Sequence, residues 1–234
     1  MTTIISALQA VKLRIESAAL QAGREPQDIR LLAVSKTFPA EAVREAFRAG
    51  QTAFGESYVQ EAVGKVATLS DLPLEWHFIG PLQSNKTRLV AENFDWVHSV
   101  DRAKIADRLS SARPADLPPL QVCLEVNVSG ESSKSGVSLH ELEALAAHVS
   151  ALPRLQLRGL MAIPVATDDA GLQRQQFRMV RELLDKLNHK NFQLDTLSMG
   201  MSNDLEAAVA EGASIVRVGS AIFGARSTHQ KTGH

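Results

Sequence analysis

Eight short apolar runs alternate with segments of helical periodicity along this chain, and that alternation constrains its fold more than any other feature. The runs are Leu31 to Ser35, Thr52 to Gly55, Trp76 to Gly80, Trp96 to Val100, Leu120 to Asn127, Leu157 to Ala162, Thr196 to Met199 and Ile215 to Gly219. Several are continuously apolar, as parallel strands covered by helices are. The segments between them carry helix-end signals. Pro39 suits a first helical position and Gly50 the residue after a last turn. Tyr58 to Leu69 places Val59, Val63, Val66 and Leu69 near one face. Ser138-Leu139-His140-Glu141 has capping-box spacing ahead of a helix to about Leu152. Gly171 to His189 carries Leu172, Met179, Leu183 and Leu187, and Ser202 or Asn203 caps a helix ending near Gly212. Before the first run, Ile4, Leu8, Val11, Ile15 and Ala18 form one helical stripe that Gly23 closes.

Eight strand–helix alternations in 234 residues predict an α/β fold, a single (β/α)8 TIM barrel over residues 1–234. No long helix follows Gly219, so the N-terminal helix is expected to pack on the outer ring in its place. A doubly wound open sheet is the alternative. It lacks support, because no Gly-rich dinucleotide fingerprint follows the first strand. Nothing in the composition marks a linker or second domain.

Composition narrows the function. The formal net charge is −1 and no basic tail is present, so neither nucleic acid nor an anionic membrane is an expected partner. No stretch approaches the roughly 20 apolar residues of a membrane span. A signal peptide is not expected, and the chain reads as cytoplasmic. The only cysteine, Cys123, lies in an apolar run and reads as a buried inert thiol. His77, His98, His140, His148, His189, His229 and His234 show no metal-binding spacing. No metal site is expected, and His77, between Trp76 and Phe78, reads as a satisfied core histidine.

In such a barrel, chemistry sits where strands end. Lys36 follows the first apolar run, and Glu56 and Asn127 end two others, either as site residues or as structural anchors. SMGMSND (198–204) and IVRVGSAIFGAR (215–226) fall in the loops after strands seven and eight, where barrels commonly bind phosphate. Ser202 lies near a helix start, and Gly219-Ser220 form a small-residue turn whose N–H groups suit an anion. Arg217 interrupts the last apolar run and shares a strand face with Gly219, so it is expected to look toward that phosphate site. A closed barrel puts the ends of strands one and eight side by side. A lysine, an arginine and a phosphate cup together point to pyridoxal phosphate, whose aldehyde forms a Schiff base with lysine. A nearby cation and partial burial would lower the lysine pKa for attack.

At this point the sequence resembles the YggS/PROSC family of pyridoxal phosphate homeostasis proteins over nearly its whole length. The residues that carry the resemblance are AVSKTFP (33–39), FGESYVQE (54–61), WHFIGPLQSNKTRLV (76–90), SKSGV (133–137), RGLMAI (158–163), SMGMSND (198–204) and VRVGSAIFGAR (216–226). The resemblance implies a barrel similar to the N-terminal domain of bacterial alanine racemase. It implies cofactor attachment at Lys36, phosphate binding at Ser202, Gly219 and Ser220, and an arginine, Arg217, facing the pyridine nitrogen. Ser57 departs from the asparagine usual there. The implied role is intracellular pyridoxal phosphate homeostasis: a monomer that holds the cofactor on Lys36 and buffers it or delivers it to apo-enzymes. Amino-acid metabolism is then affected indirectly, and no catalytic turnover is expected. The alternative is a weak pyridoxal-phosphate-dependent amino-acid racemase or related enzyme. That racemase also uses a second, β-rich domain and a tyrosine base, whereas nothing marks Tyr58, the only tyrosine here, as that base.

Overall fold

The computed structural model describes residues 3–129 and 135–225. All eight apolar runs form strands: β1 (Arg30–Val34), β2 (Ala53–Glu56), β3 (Glu75–Phe78), β4 (Trp96–Val100), β5 (Leu120–Glu125), β6 (Leu155–Met161), β7 (Thr196–Ser198) and β8 (Ile215–Val218). They pair in parallel in chain order and close into a barrel. The closing register sets Leu31 opposite Val216, Leu32 opposite Arg217 and Ala33 opposite Val218.

Helices follow the strands on the outside. They are α1 (Ile4–Gln21), α2 (Ala40–Arg48), α3 (Val59–Thr68), α4 (Thr87–Asn93), α5 (Ala103–Ala112), α6 (Leu142–Ser150), α7 (Ala170–Asn188), α8 (Leu205–Ala210) and the short α9 (Ser220–Phe223). Thr3 caps α1 by accepting from the Ser6 N–H, and the expected stripe from Leu8 to Ala18 is buried against α8 and α9. The N-terminal helix therefore takes the ring position that the four-residue α9 leaves open.

Strand alternation divides the apolar residues into two layers. Leu31, Ala33, Phe54, Val97, Val122 and Leu124 join the buried faces of the helices in one continuous core. Their alternates form two small clusters without helix residues: Leu32, Ala53 and Ile215, and Trp96, Cys123 and Met161. These fill the lumen. The register of β5 with β6 shifts between Val122 and Cys123, a bulge that brings Gly159 against β7. A Cβ on Gly159 would lie 1.8 Å from the Thr196 carbonyl oxygen, so the close approach requires glycine.

Several helix details depart from the sequence expectations. Pro39 is the N-cap of α2, not its first residue. The α3 face that is fully buried carries Ala62 and Lys65, while Val59 and Val66 pack only partly. In α7 the buried residues are Phe177, Val180, Leu184 and Leu187, and Leu172 is exposed. The Ser138 hydroxyl bonds the Glu141 side chain inside a turn, and α6 starts only at Leu142. Asp204, rather than Ser202 or Asn203, is the N-cap of α8, and its carboxylate accepts from the Met201 N–H. Among the described residues, no helix is long and apolar enough to cross a membrane.

Candidate functional site

The C-terminal ends of β7, β8 and β1 meet at one mouth of the barrel, and the expected site residues collect there. Lys36 lies two residues beyond β1, and its Nζ is 3.3 Å from the Ser57 hydroxyl beyond β2. Gly219 follows β8 directly; a Cβ there would lie 3.1 Å from the Val34 carbonyl oxygen of β1. The chain turns at Gly219 into Ser220 and α9, and Phe223 packs its ring 5.2 Å from Phe38, just past Lys36. Ser202 lies in the loop after β7. Its carbonyl accepts from Arg14 of α1, whose guanidinium also grips Glu206. The N-terminal helix thereby buttresses the β7 loop.

Lys36 sits in a segment fixed on both sides. The Ser35 hydroxyl donates to buried Glu56 Oε1 at 2.6 Å. The ammonium of Lys65 donates to the Ser35 carbonyl at 2.9 Å, to Glu56 Oε1 at 2.6 Å and to Glu61 Oε1 at 3.0 Å. Glu61 in turn accepts from the Thr37 N–H at 2.7 Å. Thr37 adopts φ +70°, a left-handed conformation that a β-branched residue rarely holds without such ties. Burial pushes the Glu56 carboxyl up despite Lys65, and its Oε2 has no hydrogen-bond partner. Glu56 is thus an anchor of the lysine-bearing turn. Asn127 is half-buried, and its side-chain oxygen accepts from Ser129.

Arg217 enters the lumen beneath the mouth and is 5% exposed. One terminal nitrogen donates to the Ser198 carbonyl at 2.6 Å and the Ser198 hydroxyl at 2.8 Å. The other donates to the Ala162 carbonyl at 3.0 Å. Burial lowers its pKa to about 10, so it remains a cation at neutral pH. Glu125, at the end of β5 on the strand face of Cys123, has its carboxyl pushed up to about 7 by burial, with Asp101 adding and Arg217 opposing. Cys123 is fully buried, and desolvation pushes its thiol up to about 12, the inert state expected.

The sequence singles out Lys36, Ser202, Arg217, Gly219 and Ser220 as candidates, and all five lie toward the same end of the barrel. The sequence does not single out Lys65, which reads as a solvated helix lysine, or His98 and Glu125, which lie inside apolar runs; Ser198 stands in the SMGMSND stretch, but nothing there marks it as a partner of Arg217. Strand parity alone could have assigned Glu125 to the lumen. His77 is the satisfied core histidine expected, bonded to Glu75 and His98.

Fold and mouth together define a parallel (β/α)8 barrel with an amine, a buried guanidinium and an open small-residue turn at the ends of its first and last strands. The alanine racemase N-terminal domain family matches residues 7–227. A Pseudomonas aeruginosa pyridoxal phosphate homeostasis protein is 62% identical over 226 residues, 97% of each chain. The Escherichia coli K12 protein of that name is 53% identical and covers 99% of this chain and 100% of its own. The solved structure of PipY from Synechococcus elongatus, with pyridoxal phosphate bound, superposes at TM-score 0.82 with 40% identity, over 95% of this chain and 100% of PipY. Alanine racemase from Corynebacterium glutamicum shares the fold at TM-score 0.68 and 16% identity, and the match spans 63% of that enzyme. The chain belongs to the alanine racemase N-terminal domain family and, within it, to the pyridoxal phosphate homeostasis proteins.

Proposed function

We propose that this chain, as one binding domain over residues 1–234, holds pyridoxal phosphate at the β7–β8–β1 mouth and buffers or hands on the cofactor within the cytoplasm. The observation that carries this reading is the convergence of the fixed Lys36, the lumenal Arg217 and the Gly219-Ser220 turn at one rim. The residues fit the group. Gly219 keeps the backbone open beside β1, where a side chain would crowd Val34. Arg217 uses three donated bonds on protein acceptors, and its other N–H groups make none among the described residues. Ser202, Gly219 and Ser220 would hold the phosphate, and Lys36 would bind the aldehyde covalently. When bound, the cofactor supplies an electrophilic aldehyde and an electron-accepting ring.

Arg217 argues for holding rather than turnover. If the bound ring sets its nitrogen toward Arg217, as the resemblance implies, this permanent cation would disfavour protonation there, and an unprotonated ring would withdraw electrons weakly. Tyr58 is 51% exposed on the rim after β2, and its hydroxyl makes no hydrogen bond among the described residues. Around the mouth, Tyr58, Ile163, Val165 and Met201 expose apolar surface suited to a recipient apo-enzyme. In this reading the chain acts as a monomer toward that recipient.

The test mixes the loaded protein with an apo-enzyme that requires the cofactor. Reactivation faster than passive dissociation supports delivery; a rate equal to dissociation removes delivery and leaves buffering. Deuterium incorporation at the Cα of amino acids, abolished by Lys36→Ala, would instead establish the racemase alternative.

A further inference from the structure

A polar chain runs through the lumen beneath the mouth. At the start of β3, Glu75 is paired with Arg30 of β1 at 2.6 Å. The same Glu75 oxygen lies 2.6 Å from His77 Nε2. His77 Nδ1 lies 2.9 Å from His98 Nε2 on β4. His98 Nδ1 lies 2.7 Å from the Ser198 hydroxyl on β7, which is 2.8 Å from Arg217 on β8. Both histidines and Ser198 are 0% exposed, so no water competes for these bonds. Trp96 stacks on His77 at 5.3 Å with rings 7° apart and fixes that imidazole plane.

The donors of this chain can be ordered from either end. From the top, Arg217 can only donate, so Ser198 Oγ accepts from it and turns its own hydrogen to His98 Nδ1. His98 then carries its proton on Nε2 and donates to His77 Nδ1, and His77 donates from Nε2 to Glu75. From the bottom the order is the same. Burial acts to raise the Glu75 carboxyl, but hydrogen bonds from His77 and Arg30 outweigh it and hold the group at about 2. An ionised Glu75 requires a proton on His77 Nε2. Desolvation lowers the pKa of both imidazoles, which keeps each neutral with a single N–H. Every bond has a donor and an acceptor, and all point from the guanidinium toward the carboxylate.

We propose that Glu75, His77, His98 and Ser198 are positioning residues, a one-directional hydrogen-bond relay that orients the Ser198 lone pair onto Arg217 and so fixes the guanidinium beneath the bound ring. The role at the ring rests on the cofactor reading above; the direction of the relay does not. A half-satisfied buried network would cost more than an apolar lumen, so a chain in which both ring nitrogens of each histidine and the Ser198 hydroxyl all have partners marks a built feature.

Two measurements test it. Long-range 1H–15N correlation spectra of the protein without cofactor should show His77 and His98 both protonated on Nε2 and bare at Nδ1 between pH 7 and pH 8. A proton on either Nδ1 overturns the relay. Ser198→Ala should weaken pyridoxal phosphate binding by ~10-fold, the effect of one lost bond to a charged group. It should also shift the pH at which the Lys36-bound cofactor's visible band titrates. Glu75→Gln, which keeps an acceptor for His77 but removes the charge, should move both readings in the same direction by less. A fall in melting temperature with unchanged affinity and unchanged titration in both variants would refute positioning. If the unsubstituted protein binds no pyridoxal phosphate, the cofactor reading and the role at the ring both fail, and the histidine spectra still decide the direction.

Discussion

Replacing Lys65 with methionine removes the ammonium that holds the turn around Lys36. The side chain is 4% exposed and its partner Glu56 is 0% exposed, so this pair is inside the protein. Its loss would leave Glu56 with the Ser35 hydroxyl as its one remaining donor, and leave the Ser35 carbonyl without its lysine bond. Stranding one member of a buried pair costs ~3–5 kcal/mol. Methionine recovers some packing, so a loss of ~3 kcal/mol at pH 8 is expected. The deficit should depend on pH in a definite direction. Glu56 already titrates above an ordinary carboxyl because of burial, and removing Lys65 raises it further. A carboxyl raised in the folded state contributes no penalty below its unfolded pKa and destabilises as pH rises through the folded value. The variant should therefore lose little at pH 4–5 and progressively more toward pH 8. Adding Glu56→Gln should restore stability at pH 8. Urea unfolding at three pH values reads all of this. A deficit below ~1 kcal/mol at pH 8, or one independent of pH, would refute the buried-pair reasoning.

Other expectations concern the lumen and the barrel wall. Glu125, carried from 4.5 up to about 7, should cost ~3 kcal/mol of stability as pH rises from 4 to 8, and Glu125→Gln should flatten that decline in urea unfolding across the same range. Cys123, with its thiol at about 12, should resist iodoacetamide in the native protein and react only on unfolding, as read by mass spectrometry. Gly159→Ala, whose Cβ would meet the Thr196 carbonyl at 1.8 Å, should lose more than ~3 kcal/mol or fail to accumulate as folded protein.

The strands were legible because parallel strands buried on both faces write themselves as apolar runs, and all eight runs became strands. The mouth was legible because strand ends in a closed barrel must converge, which brought Lys36 near Gly219 without any local signal. Helices α4 and α5 were not singled out. Lys86 and Arg102 stand at their N-caps and make no side-chain cap bond, so the usual start signals are missing. The buried face of α3 differs from the one the sequence pattern predicts because three valines outweigh one lysine in any apolar count. What turns Lys65 inward is an ion pair with Glu56, nine residues away and on another element. The lumenal relay left even less trace. His98 and Ser198 are separated by 100 residues, and only closure of the barrel brings them together. Polar residues inside apolar runs, such as His77, His98, Ser198 and Arg217, are the common sign of such an interior.

The most direct measurement of the central claim is the site of covalent capture. The protein is mixed with pyridoxal phosphate, reduced with borohydride, digested and mapped by mass spectrometry. Modification concentrated on Lys36 at stoichiometric cofactor, and lost in Lys36→Ala together with the visible band, is the expected result. Modification spread over exposed lysines, or undiminished in Lys36→Ala, would contradict it and return Lys36 to an ordinary strand-end lysine.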